Sequence, residues 1–180
     1  MPRVARKMSL TKVYHIILRG NDRQDIFYEK QDYEKFLKLV VNTKEKYEYE
    51  VYTYCLMTNH VHLIIYDAKD EISKIMQSIG IAYSIYFAKK YNRNGHLFQN
   101  RFISKNIEIE NDLYRLCRYI HQNPVKAGIS KMEDYEWSSY NEFIHKNKII
   151  HSQFILSMFG QTKKEAIENF ILFHSYEANE

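Results

Sequence analysis

Proline and glycine are scarce, at 2 and 5 of 180 residues. With 45% hydrophobic and 27% charged residues, that excludes collagen-like repeats, low-complexity sequence and a disordered tail protein. No apolar run approaches the roughly 18 residues of a membrane-spanning helix. The basic N-terminus, MPRVARKMSLTK, is followed by no continuous apolar stretch, so neither a secretory signal nor a membrane anchor is expected. Two cysteines, Cys55 and Cys117, sit inside apolar segments and fit a reduced, cytoplasmic protein. A bridge between them stays open at this point. There is no internal repeat and no Gly- or Ser-rich linker. One main domain is expected, long enough to bury roughly two-thirds of its unfolded surface.

Charge is patterned rather than large. The 26 Lys and Arg exceed the 22 Asp and Glu by four. Residues 1–20 carry Arg3, Arg6, Lys7, Lys12 and Arg19 with no acid, and residues 72–107 carry Lys74, Lys89, Lys90, Arg93, Arg101 and Lys105, again with none. Two such blocks suit one positive face that attracts a polyanion. They also suit two ordinary solvated surfaces that never meet.

Periodicity gives the architecture. Residues 13–18 (VYHIIL) form a first strand. Tyr33, Phe36, Leu37, Val40 and Tyr47 recur at helical spacing over 32–47. Strands follow at 49–57 and 60–66, and the short Thr58-Asn59 link makes them an antiparallel hairpin. A second helix starts at Ile72 with Asp70 as its cap and stops near 92–95. A fourth strand spans 104–109. A third helix, capped by Asn111, buries Leu113, Leu116, Cys117 and Ile120 and ends close to Asn123 because Pro124 follows. The first six elements match an α+β, ferredoxin-like split β-α-β antiparallel sheet with helices packed on one face. Residues 1–145 form this domain. Residues 146–180, with short helices at 154–159 and 165–173, form a helical C-terminal appendage.

Two constellations can carry chemistry. His60 and His62 are two apart on a strand, so both imidazoles share a face and reach one ion at about 2.0–2.2 Å. They equally suit two polar residues on an exposed strand. No HExxH, carboxylate pair or cysteine cluster accompanies them, so a metal here is completed by a weaker ligand, water and substrate. Tyr119 and Asn123 are four apart near the end of the third helix and lie on one face. Tyr119 offers a hydroxyl nucleophile and Asn123 an oxygen ligand. Each alone also reads as an ordinary tyrosine and an ordinary helix stop.

The ordered segments MTNHVHLII (57–65), GHLFQNRF (95–102), RYIHQNPVKAG (118–128) and YEWSSY (135–140), with Arg19-Gly20-Asn21 and Ile26-Phe27, resemble the bacterial single-tyrosine HUH transposases. The nearer likeness is to the REP-associated tyrosine transposases, relatives of the smallest insertion-sequence transposases, over roughly residues 6–145. The resemblance implies that His60 and His62 are the metal pair, Tyr119 the nucleophile and Asn123 the amide-bearing third ligand. More distant relatives tend to use glutamine there. It implies Mg²⁺ or Mn²⁺ as cofactor. It also implies a metal-dependent, transposase-like single-stranded DNA nuclease and strand transferase, with a covalent 5′-phosphotyrosine intermediate at hairpin-associated sites.

The implied partner is single-stranded DNA with a hairpin, bound by a monomer or homodimer. In the insertion-sequence relatives the tyrosine helix and histidine strand come from two subunits; in the REP-associated group one chain can supply both. Gln99, Asn100 and Arg101 lie in a family-like segment and, with Arg3, Arg6, Lys7, Lys12 and Arg19, are the candidate DNA contacts. His121 is expected in solvent and Trp137 in the core. The competing readings are a non-catalytic DNA hairpin-binding protein that keeps the fold, and a metal-dependent hydrolase in which water attacks.

Overall fold

β-Branched and aromatic residues make up half or more of the first three strand segments. In the computed structural model, which describes residues 8–145 and 148–176, the chain forms four strands. These are β1 (Val13–Arg19), β2 (Glu50–Met57), β3 (His60–Tyr66) and β4 (Ile103–Asn106). Their order across the sheet is β2-β3-β1-β4, and every neighbouring pair is antiparallel. Helix α1 (Lys30–Tyr47) joins β1 to β2, and α2 (Ile72–Tyr91) joins β3 to β4. This is the expected split β-α-β sheet, with α1 and α2 packed together on one face. Strand alternation turns Ile16, Leu18, Leu56, Val61 and Leu63 toward that layer, and all are buried.

Asp32 fastens the two helices. It is fully buried and accepts hydrogen bonds from the Tyr28 and Glu29 amides, the Tyr86 and Tyr91 hydroxyls and the Lys90 ammonium. Burial pushes its carboxyl toward the neutral form, but Lys90 and the other donors outweigh burial and hold its pKa below the ordinary value. Both helices end on a left-handed residue, Glu48 and Asn92.

Helix α3 (Glu110–His121) lies on the opposite face, against β2. Its Cys117 and His121 meet Thr53, whose register partner is Ile64 beside His62. A short turn, α4 (Asn123–Lys126), follows, with Pro124 in its first turn where no amide is needed. The chain then runs along the outer edge of β2, where Leu56 N–H bonds Trp137 O, Ser139 N–H bonds Tyr54 O and His151 N–H bonds Val51 O. That covers an otherwise open sheet edge. Trp137 stacks on Tyr33 with centroids 4.5 Å apart, an anchoring role as expected. Helices α5 (Tyr140–Ile144), α6 (Ser152–Leu156) and α7 (Lys163–Ser175) complete the described chain. Phe170 of α7 stacks on Phe143 of α5 at 4.6 Å and joins the common core.

The local differences have physical reasons. Asp70 caps nothing: it sits at φ 60 and ion-pairs with Lys12, and Glu71 takes the cap position of α2. Helix α3 begins at Glu110 after Ile109, one residue ahead of the expected cap Asn111, which lies inside the helix. Strand β4 stops at Asn106 because residues beyond it turn into α3. Cys55 and Cys117 are both buried and free. Among the described residues no helix is long and apolar enough to cross a membrane. Arg3, Arg6 and Lys7 lie outside the described residues.

Candidate metal and nucleophile site

The hairpin tip fixes the two histidines. Thr58 and Asn59 are the whole connection between β2 and β3, with Met57 paired to His60. Their carbonyls are held from outside: Thr58 O accepts the Ile26 and Phe27 amides, and Asn59 O accepts the Gly20 amide. Gly20 is needed here for close approach, since a Cβ would lie 2.0 Å from the Gln24 carbonyl oxygen. His60 therefore starts a strand whose end cannot fray.

His60 and His62 share a face, with ring centroids 5.0 Å apart. Each has one nitrogen occupied. His60 Nδ1 lies 2.6 Å from Asn59 Oδ1, which can only accept, so Nδ1 carries the proton and Nε2 keeps its lone pair. His62 Nδ1 lies 2.9 Å from His15 Nε2 on β1, leaving His62 Nε2 as the available nitrogen. Burial, aided by Arg19, lowers the His60 pKa. Burial, with His15, His60 and Arg19, lowers that of His62 to about 2. Both imidazoles are thus neutral at physiological pH, as ligands must be.

Tyr119 stands over this pair. Its ring meets that of His62 edge to face at 6.1 Å between centroids, within one chain. The side chain is 36% exposed, so an extended substrate can reach it. Lys126 Nζ lies 5.3 Å from the ring centroid. Asn123 is tied to the same helix end: its Nδ2 donates to Tyr119 O at 2.8 Å and to Ile120 O at 3.2 Å. That leaves Asn123 Oδ1 available as an acceptor. Two neutral imidazole nitrogens on one face suit a borderline divalent ion, and Asn123 stands just past the end of the helix that carries Tyr119.

The two acid-free blocks are adjacent. β1 pairs with β4, placing His15 opposite Lys105, and Gln99 N–H bonds Arg19 O at 2.9 Å. Arg19 itself is the register partner of His60. Gln99, Asn100 and Arg101 are exposed, and the latter two line a groove beside α2. Lys12, Lys74 and Lys90 are engaged by Asp70, Glu71 and Asp32. Among the described residues no ion pair involves Arg19, Arg101 or Lys105.

The sequence reading missed His15, Asn59 and a second cluster. His15 is two residues from Ile17, the register partner of His62, so strand parity would have placed it beside His62 once β1 was known to pair with β3. His121 corrects an expectation outright. It is fully buried, because α3 turns it toward β2 while Tyr119 faces outward. Its Nε2 lies 2.7 Å from Thr53 Oγ1 and 2.9 Å from Ser139 Oγ, and its Nδ1 lies 3.0 Å from His174 Nε2. Among the described residues Cys117, His121 and His174 form a candidate metal cluster, with donor atoms all within 4.8 Å of one another and the capacity to hold a divalent ion.

Fold and site together define an α+β protein with a two-histidine strand under an exposed helix tyrosine, Tyr119. Residues 9–123 match the family described as Transposase IS200 like, and the chain belongs to that family. Among solved structures, a REP-associated tyrosine transposase bound to a REP hairpin is similar with a TM-score of 0.66 at 19% identity, over 80% of this chain and 86% of that one. That likeness concerns the fold. A putative transposase from Deinococcus radiodurans gives a TM-score of 0.46 at 12% identity, over 67% of this chain and 97% of that one. No curated protein matches.

Proposed function

We propose that the protein is a metal-dependent HUH transposase of the REP-associated type, which cleaves and rejoins single-stranded DNA at hairpin-associated sites. The observation that carries it is the Tyr119 ring against His62, with the hydroxyl-bearing side chain exposed and a free nitrogen on each histidine. The assembly of both halves within one chain favours a site that needs no second subunit. The free thiols of Cys55 and Cys117 fit a reducing compartment, the cytoplasm.

His60 and His62, with Asn123 Oδ1, would hold the ion. When bound, Mg²⁺ or Mn²⁺ polarises the scissile phosphate and stabilises charge on its non-bridging oxygens. Tyrosine in neutral water is a weak nucleophile, with about one side chain in a thousand ionised. Positioning therefore matters most. α3 aims Tyr119 at the phosphate, and Asn123, bonded to the Tyr119 carbonyl, keeps ligand and nucleophile in one register.

Tyr119 Oη attacks phosphorus; the new O–P bond forms as the P–O3′ bond breaks. The phenolic proton is lost and the departing 3′-oxygen takes one up, giving a 5′-phosphotyrosine and a free 3′-hydroxyl. Attack by a 3′-hydroxyl reverses the step and rejoins strands without ATP. Arg19, Gln99, Asn100 and Arg101 would meet the DNA on its approach, Lys12 just precedes the far end of β1, and Arg3, Arg6 and Lys7 extend this basic set in sequence. Residues 1–145 carry the chemistry, and the described helices within residues 148–176 brace α3.

The test uses labelled single-stranded DNA with a terminal hairpin, Mn²⁺ or Mg²⁺, and denaturing electrophoresis. A covalent band is expected, lost in Tyr119→Phe and on chelation. Cleavage that survives Tyr119→Phe and yields free 5′-phosphate would assign attack to water. Salt-dependent hairpin binding by the wild type with no adduct would make the protein a binder only.

A further inference from the structure

The tyrosine helix has a second, inward-facing set of donors. Cys117 and His121 are one turn apart on α3, and His174 comes from α7, 53 residues later. All three are fully buried. We propose that Cys117, His121 and His174 bind a zinc-class ion that clamps α7 to the helix carrying Tyr119. The clamp is separate from the proposed His60–His62 ion and stands whether or not Tyr119 cleaves DNA.

Three observations support it. The first is spacing. Tetrahedral zinc with Zn–N about 2.0–2.1 Å and Zn–S about 2.3 Å separates two nitrogens by about 3.3 Å and nitrogen from sulfur by about 3.6 Å. His121 Nδ1 lies 3.0 Å from His174 Nε2 and 3.8 Å from Cys117 Sγ, within a few tenths of both values.

The second is the far side of each ring. His174 Nδ1 donates to Phe170 O at 2.9 Å, which fixes its tautomer and leaves Nε2 as a lone pair facing the cluster. His121 Nε2 faces the Thr53 and Ser139 hydroxyls, which accept as readily as they donate. With an ion on Nδ1, the His121 proton resides on Nε2 and donates to either hydroxyl. Such outer partners are the usual companions of metal-bound imidazoles.

The third is donor chemistry. One thiol and two imidazoles, with no carboxylate among them, select a thiophilic ion and discriminate against Mg²⁺ and Mn²⁺. Binding releases one proton, that of the Cys117 thiol. The joint is already built around the site: Arg118 donates to Phe173 O, and Gln122 Nε2 donates to His174 O and Tyr176 O.

Cobalt reports on the site, because thiolate ligation gives it a charge-transfer band and tetrahedral geometry gives strong visible absorption. The full chain, stripped of metal, should take up one Co²⁺ with both features. Zn²⁺ should displace it and raise Tm by about 5–10 °C at 100-fold excess over Kd. The His60→Ala/His62→Ala double variant should keep both features, and Cys117→Ser should lose the charge-transfer band. Should Cys117→Ser not fold, the double variant and Cys55→Ser decide: a band present in both leaves Cys117 as the only thiol able to produce it. Absence of the band in the wild type, or its loss in the double variant, overturns the proposal and leaves the three side chains as a proton-linked network. Persistence in folded Cys117→Ser also overturns it.

Discussion

Two histidine groups occupy the same face of one sheet in opposite surroundings. His60 and His62 sit at the hairpin end, under a tyrosine that is 36% exposed. His121 and His174 are fully buried beneath α7. The chemical device is shared: in each group a far nitrogen is bound to a neighbour, so that the near nitrogen is directed. Asn59 and His15 serve the first group, Thr53, Ser139 and the Phe170 carbonyl the second. What differs is access. An ion that must receive a phosphate needs a position open to substrate, whereas an ion that joins two helices needs no such access. α3 serves both, with Tyr119 facing outward and Cys117 and His121 inward.

The sharpest way to break this contrast is to change one residue of each kind. Tyr119→Phe should reduce covalent adduct formation at least 10³-fold, about 4 kcal/mol in the barrier. The substitution removes only a hydroxyl from a residue that is 36% exposed, so Tm should move by less than about 2 °C. A large fall in Tm would show that the hydroxyl belongs to the structure rather than to the reaction. His121→Leu should do the reverse. It leaves His174 Nε2 without its partner in the interior, while Thr53 and Ser139 keep each other and the Tyr54 backbone, and should cost about 1–3 kcal/mol in urea unfolding. The adduct yield per folded molecule should stay within a few-fold of wild type, because Leu keeps the inward face of α3 apolar.

The same contrast explains what could be read from the chain. The stripes of α1 and α2 and the alternation of β1 to β3 are local patterns, and they gave the sheet and its helices within one to three residues. His60-Val61-His62 is local too: strand parity alone puts both rings on one side. Asp32 marks only the start of the helical spacing over 32–47; its burial depends on Tyr86, Lys90 and Tyr91, more than 50 residues away. His121 failed for a like reason. Its offset of two from Tyr119 correctly turned it off the tyrosine's face, but only the packing of α3 on Thr53 and of α7 on α3 shows that the other side is interior. His15 needed the pairing of β1 with β3. Long-range partners decide burial, and a single sequence does not display them.

His15 offers a subtler probe of the open group. His15→Phe removes the acceptor that orients His62, and should weaken Mn²⁺ binding about 10–100-fold, read by the free-ion signal in an EPR titration. His15→Gln can still accept from His62 Nδ1 and should recover much of that loss. Equal weakening by both would mean that His15 acts by filling space. In His174→Gln, on the closed side, Mn²⁺ affinity should stay within about twofold, because a soft donor set contributes nothing to a hard ion's site.

The smallest expected effect concerns the approach to the open group. Arg101 is exposed and, among the described residues, has no ion pair, whereas Lys12 lies 2.5 Å from Asp70. Each phosphate contact contributes about 0.7–0.9 to the slope of log K against log salt. Arg101→Ala should therefore flatten the slope for hairpin DNA by roughly one unit, about a three- to fourfold change in relative affinity between 50 and 200 mM salt. Lys12→Ala should flatten it less, because its ammonium is already neutralised by Asp70 and must give up that partner to take a phosphate. Equal flattening by the two would mean that DNA displaces Asp70 from Lys12. The Lys12→Ala/Asp70→Ala pair then separates the cases: if Asp70 competes with DNA, Asp70→Ala alone should steepen the slope, and adding Lys12→Ala should abolish that gain.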